Sequence, residues 1–248
     1  MSDRSLLLWS SGALTHQGNV RRTNEDAYLE LPELGLWTVA DGMGGHQAGD
    51  LASQMIVDTL SEVQEPSNLD TFIDDVTQNI LFVNQRLREI AQKKFAHDII
   101  GCTVVSMLVY GSQCAFLWAG DSRVYRRRNN TLQQLTLDHN MLQDFLDKGM
   151  ALKEALQYPE CQILTRAVGA DDQLEIAVWV DELLDGDRYL LCSDGLYKEL
   201  SDHEINTILA NENSDSTSLA QQFMDQSLAK TGRDNITVVV VGIHDAFA

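Results

Sequence analysis

The chain has 248 residues, 44% of them hydrophobic, which is enough for one sizeable core, and no Pro/Gly/Ser-rich linker divides it. Its 37 acidic residues outnumber 18 lysines and arginines, and a formal charge of −19 repels nucleic acid and anionic membrane surfaces. The longest apolar run, Ile236 to Ile243, has eight residues, whereas a membrane helix needs about 20.

Met1 to Trp9 carries only four consecutive apolar residues, too few for a signal-peptide core, so a cytoplasmic protein without membrane insertion is expected. Cys102, Cys114, Cys161 and Cys192 show no C-x-x-C spacing, and three of them sit in apolar strand patterns. Buried, reduced thiols follow from that placement.

In chain order, Leu6 to Leu14 and Ala27 to Leu31 read as strands flanking the polar segment Gly18 to Asp26. Leu36 to Ala40 is a third strand, running into Asp41-Gly42-Met43-Gly44-Gly45-His46. From Ala48, apolar residues at Leu51, Ala52, Met55, Ile56, Leu60 and Val63 fall at helical spacing. A longer helix starts near Asn68, with Leu69, Phe72, Ile73, Val76, Ile80, Val83, Leu87 and Ile90 on one stripe.

The period then changes to alternation over Ile99 to Tyr110, Gln113 to Ala119, Val124 to Arg128 and Thr131 to Leu135, which predicts an antiparallel meander. Asp138 to Gln157 returns to short helical patterns. Strands are expected at Ile163 to Val168, Glu175 to Val180, Arg188 to Cys192 and Ile236 to Ile243. Ser201 and Glu204 form a capping-box pattern, and a helix near Thr217 to Lys230 ends before Gly232.

Several acids share one local grammar. Asp41 ends a strand, Glu25 and Asp26 precede one, Asp121 follows Cys114 to Gly120, Asp194 follows Tyr189 to Ser193, and Asp234 precedes the last strand. Singly, each reads as a turn or cap residue. Gathered in one pocket they would repel strongly without cations, and two divalent ions supply the missing charge. Oxygen donors favour Mg²⁺ or Mn²⁺ over zinc.

Gly18 to Asp26 (G-x-x-R-x-x-N-E-D), Val39 to Gly49 (V-A-D-G-M-G-G-H-x-A-G), Gly120 to Arg123 (G-D-S-R), Leu164 to Gly169 (L-T-R-A-V-G), Leu191 to Leu196 (L-C-S-D-G-L) and Asp234 to Thr237 (D-N-I-T) occur in one order along nearly the whole chain. Together they resemble the metal-dependent PP2C-type (PPM) protein phosphatases of bacteria. The resemblance implies an α+β fold: an α-β-β-α sandwich, two central antiparallel sheets flanked by helix pairs, forming a single catalytic domain over residues 1–248. It implies hydrolysis of phosphoserine and phosphothreonine on proteins with two or three Mn²⁺ or Mg²⁺ ions, by a bridging water. Asp41 then corresponds to the bridging carboxylate, Gly42 to a carbonyl ligand, and Asp194 and Asp234 to ligands of the first ion. Glu25 and Asp26 would hold metal-bound waters, and Asp121 would serve a third ion.

On the same resemblance Arg21 binds phosphate, a task suited to a guanidinium fork, and His46 protonates the leaving oxygen. The implied partners are phosphorylated proteins and a cognate bacterial Ser/Thr kinase, with a secretion-system setting as one possibility, and a monomer is expected. His16, His97, His139, His203 and His244 receive no role. Cys161 to Arg166 is one residue too short for a cysteine-phosphatase loop, and neither a G-x-S-x-G elbow nor a Walker loop occurs. A phosphoprotein-binding pseudophosphatase, or a phosphoesterase for a small metabolite or a sigma-factor regulator, is the alternative.

Overall fold

The computed structural model describes residues 6–44, 48–94 and 99–246. One sheet has the order β1 (Leu7–His16), β11 (Ile236–Asp245), β10 (Arg188–Cys192), β7 (Arg123–Arg128), β8 (Thr131–Gln134). The other runs β2 (Asp26–Leu31), β3 (Leu36–Met43), β5 (Val104–Tyr110), β6 (Gln113–Ala119), β9 (Ala177–Glu182), and the short β4 (Gly101–Cys102) pairs with the end of β3. All these pairings are antiparallel.

Strand alternation explains how the layers stack. On β11, Val239, Val241 and Ile243 face the other sheet, while Ile236, Val238 and Val240 face α6 (Asp202–Leu209) and α7 (Ser216–Ala229). On β5, Val105, Met107 and Val109 join the inter-sheet core, while Val104 and Leu108 pack under α1 (Ala48–Leu60) and α2 (Leu69–Lys94). Period two thus assigns the residues of the central strands to two cores, and β5, β10 and β11 are buried on both faces over most of their length. Trp37 is fully buried between the sheets and meets Trp9 edge-on at 6.4 Å; burying a side chain of this kind stabilises by about 1.5–3 kcal/mol. The expected α-β-β-α sandwich is therefore what the chain forms.

Two local expectations are corrected. The meander is not continuous: β5 and β6 belong to one sheet, and β7 and β8 to the other. The crossing happens at Gly120-Asp121-Ser122, where Gly120 has φ +117° and a Cβ would stand 2.6 Å from the Thr103 side chain. Only glycine takes that turn this close to a neighbour. The Ile163 to Val168 run forms no strand; only single bridges, Asn140 to Leu164 and Cys102 to Val168, hold it across two other segments.

Elsewhere the differences are of boundary. β3 extends through Asp41 to Met43, and the helical patterns after Asp138 become α3 (Met141–Asp147), α4 (Leu152–Ala155) and a 3-10 turn at Pro159–Gln162. The Ser201–Glu204 capping box is formed, and the four cysteines are free and buried. No helix among the described residues is long and apolar enough to cross a membrane.

Candidate active site

The sandwich brings strand ends from both sheets to one rim, and a cleft of about 600 Å³ opens there. Arg21, Glu25, Asp41, Gly42, Asp121, Asp194 and Asp234 all line it. Sheet register explains part of this convergence: Asp26 and Asp41 are directly opposed across the β2–β3 pair. Asp121 arrives on the crossing turn after β6, Asp194 begins the four-residue helix α5 (Asp194–Tyr197) after β10, and Asp234 precedes β11. His46 lies outside the described residues.

The backbone around these acids is tightly fitted. A Cβ on Gly42 would lie 2.1 Å from the Gly49 carbonyl oxygen, so the end of β3 can approach the first turn of α1 only as glycine. The Gly42 N–H donates to the Glu25 carbonyl at 3.0 Å, and Ser53 Oγ donates to the same oxygen at 2.6 Å. Asn235 ties the polar segment to the last strand: its Oδ1 accepts from the Glu25 N–H at 2.9 Å, and its Nδ2 donates to the Gln17 and Thr23 carbonyls.

Asp26 sits beneath the cleft. Ser193 and Thr237 hydroxyls each donate to its Oδ2 at 2.7 Å, while its buried Oδ1 has no protein partner. Burial lifts its pKa to about 7 against those two hydrogen bonds, with Asp194 and Asp234 adding to the rise. Burial also lifts Asp121 to about 7, Asp194 adding to it and Lys198 opposing it. Asp41 is raised well above the usual carboxylate range, first by desolvation and then by Asp26, Asp194, Asp121 and Asp234. Glu25 is raised by burial and by Asp50, with Arg21 pulling the other way.

Two side-chain cations answer part of this charge. Arg21 Nη2 pairs with Asp234 at 2.8 Å, and Lys198 pairs with Asp194 one helical turn away. Among the described residues no three His, Cys, Asp or Glu side chains stand close enough to form a closed ligand set. The fit to a hard cation rests instead on the donor chemistry: wholly oxygen ligands from both sheets, mutual repulsion among them, and an unsatisfied buried carboxylate oxygen on Asp26.

Some residues at the site were not singled out from the sequence. Lys198 stands four residues after Asp194, a helical ion-pair spacing hidden because α5 is a single turn. Thr103 and Arg166 also line the cleft. His139 accepts from the Gly120 N–H through Nδ1 at 3.2 Å and stacks on Trp118; burial, and next Arg166, lower its pKa to about 4, so it is neutral and buttresses the crossing turn. Arg126 and Arg128, on the strand after the crossing turn, are engaged in ion pairs with Asp181 and Asp187.

A family model described as protein phosphatase 2C matches residues 20–233. The serine/threonine phosphatase stp of Listeria welshimeri is 34% identical over 235 residues, covering 92% of this chain and 93% of its own. Among solved structures, PppA, described as a key regulatory component of T6SS in Pseudomonas aeruginosa, superposes with a TM-score of 0.89 at 39% identity, covering 96% of this chain and 99% of that one. The catalytic domain of the serine threonine protein phosphatase PstP in complex with two manganese ions superposes at 0.85 and 29% identity, covering 96% of this chain and 100% of that one. With the matched residues including strands of both sheets and every cleft acid except Asp234, which follows the match by one residue, the chain belongs to the protein phosphatase 2C family.

Proposed function

We propose that this chain hydrolyses phosphoserine and phosphothreonine in proteins at a centre holding two Mn²⁺ or Mg²⁺ ions, and so reverses a bacterial Ser/Thr kinase. The observation that carries this reading is the gathering of Asp41, Asp121, Asp194 and Asp234 from both sheets into one cleft, with Asp26 beneath it. Asp41, the Gly42 carbonyl, Asp194 and Asp234 are the groups that would hold the ions, and Glu25 and Asp26 would hold waters bound to them. Bound there, the ions would lower the pKa of a water for in-line attack on phosphorus and offset charge on the phosphoryl oxygens.

The chain's own residues do the rest. The Arg21 side chain is 54% exposed and reaches Asp234 from the polar loop before β2, so its guanidinium is free to turn from that carboxylate onto two phosphate oxygens. His46, assigned from its motif, protonates the departing serine or threonine oxygen. Ile99, Ile163, Leu164 and Ala167 line the cleft too and give the residues flanking the phosphate an apolar wall. Similarity to a T6SS regulatory component supports testing T6SS phosphoproteins first among substrates.

The test is phosphate release from phosphoserine and phosphothreonine peptides with Mn²⁺, with Mg²⁺ and with EDTA. Release that needs the ion and stops in EDTA is expected. Binding of the peptides without release under any ion condition would favour a phosphoprotein-binding module instead.

A further inference from the structure

The resemblance assigns Asp121 to a third ion, but the edge of the cleft where Asp121 and Asp194 stand already holds a cation. Lys198 Nζ is ion-paired with Asp194 Oδ2. The pairing follows from the local fold: Asp194 begins α5 and Lys198 ends it, with the Lys198 N–H donating to the Asp194 carbonyl at 3.0 Å, so one helical turn sets the reach between the two side chains. Lys198, Asp194 and Asp121 line the same cleft.

The crossing turn that carries Asp121 is locked to this helix. Tyr197, next to Lys198, donates its hydroxyl to the Asp121 carbonyl at 3.0 Å. The Arg123 guanidinium lies over the Tyr197 ring, 3.7 Å from its centroid, and makes a two-point bond to Asp138 at 2.9 and 2.7 Å. These contacts hold the backbone of the crossing turn against α5, and so keep Asp121 beside the turn from which Lys198 projects.

We propose that Lys198 is the resident cation of the Asp121–Asp194 edge and stands in place of a third metal ion, so that this centre is complete with two. This rests on the two-metal reading above. A divalent ion beside Asp121 would meet the repulsion of an ammonium anchored within one helical turn, and would have to compete with it for Asp194. Arg21 is a different case, because it meets Asp234 from a loop 213 residues away in sequence, with no helical turn setting the reach between them.

The test counts Mn²⁺ ions per full-length chain by equilibrium dialysis and titration calorimetry at saturating free Mn²⁺. Wild type binds two. Lys198→Met, which keeps the aliphatic stem, gains a third, Lys198→Arg stays at two, and Asp121→Asn added to Lys198→Met returns the count to two. Three ions in wild type would overturn the proposal without any variant, and so would a folded Lys198→Met that stays at two. Wild type that binds no Mn²⁺ would overturn both this inference and the two-metal reading beneath it.

Discussion

Asp41→Asn removes one of two carboxylates that face each other across the β2–β3 pair, and the structure sets the size and sign of the effect. Directly opposed residues hold their Cβ atoms roughly 5 Å apart. At an effective dielectric of about 20, like charges at that separation repel by about 3 kcal/mol. Protonation relieves part of this, since Asp26 is pushed up to about 7 and Asp41 well above its usual range by burial and by its acidic neighbours. Raised carboxylate pKa values mean that the folded chain keeps protons the unfolded chain has shed. Metal-free stability therefore falls as pH rises from about 4 through about 7, by up to about 1.4 kcal/mol per pH unit per group.

Asp41→Asn in EDTA should consequently be more stable than wild type by about 1–2 kcal/mol at pH 8, seen as a Tm higher by roughly 2–8 °C for a chain of this size. The gap should narrow towards pH 4 and close below it, where the acid is protonated in the unfolded state as well as in the folded one. With Mn²⁺ about 100-fold above its Kd, wild type should gain about 2.7 kcal/mol while the variant gains little, so the order of stabilities reverses. Thermal unfolding followed by circular dichroism, with and without Mn²⁺, reads all of this. A lower Tm for the variant in EDTA, or equal Mn²⁺ shifts in the two proteins, would refute the reasoning.

Arg21→Ala should lower kcat/KM for phosphopeptides by about 10- to 100-fold, the worth of charge-assisted hydrogen bonds, and Arg21→Lys should restore only part of it; steady-state kinetics with unchanged rates would remove Arg21 from phosphate binding. His46→Ala should lose about 10²- to 10⁴-fold with alkyl phosphates and far less with an aryl phosphate, whose leaving group needs no proton. Equal losses on the two substrates would take the acid role from His46.

Much of the fold was legible because strand alternation reports which face is buried. Val238 to Val241 belong in turn to the α6–α7 core and the inter-sheet core, a pattern the primary structure writes directly. Alternation does not report which sheet a strand joins. The run from Gln113 to Arg128 therefore read as one meander although Gly120 hands it from one sheet to the other. Ile163 to Val168 has strand-forming residues but no neighbour along its length, since Leu164 and Val168 each bridge a different segment.

The acids of the site were legible because each is fixed to the end of an apolar strand. The groups that balance them were not: Lys198 is visible only once α5 is known to be a helical turn, and the hydroxyls of Ser193 and Thr237 reach Asp26 from 167 and 211 residues away. His139 matters through the ring nitrogen that accepts from Gly120, a contact made by tertiary packing alone.

The central claim is that acids from two sheets form a metal-dependent centre for phosphoprotein hydrolysis, and phosphate release from a phosphothreonine peptide by wild type and Asp41→Ala, each with Mn²⁺ and with EDTA, tests it most directly. The account predicts turnover only for wild type with Mn²⁺. Turnover in EDTA, or by Asp41→Ala with Mn²⁺, would contradict it.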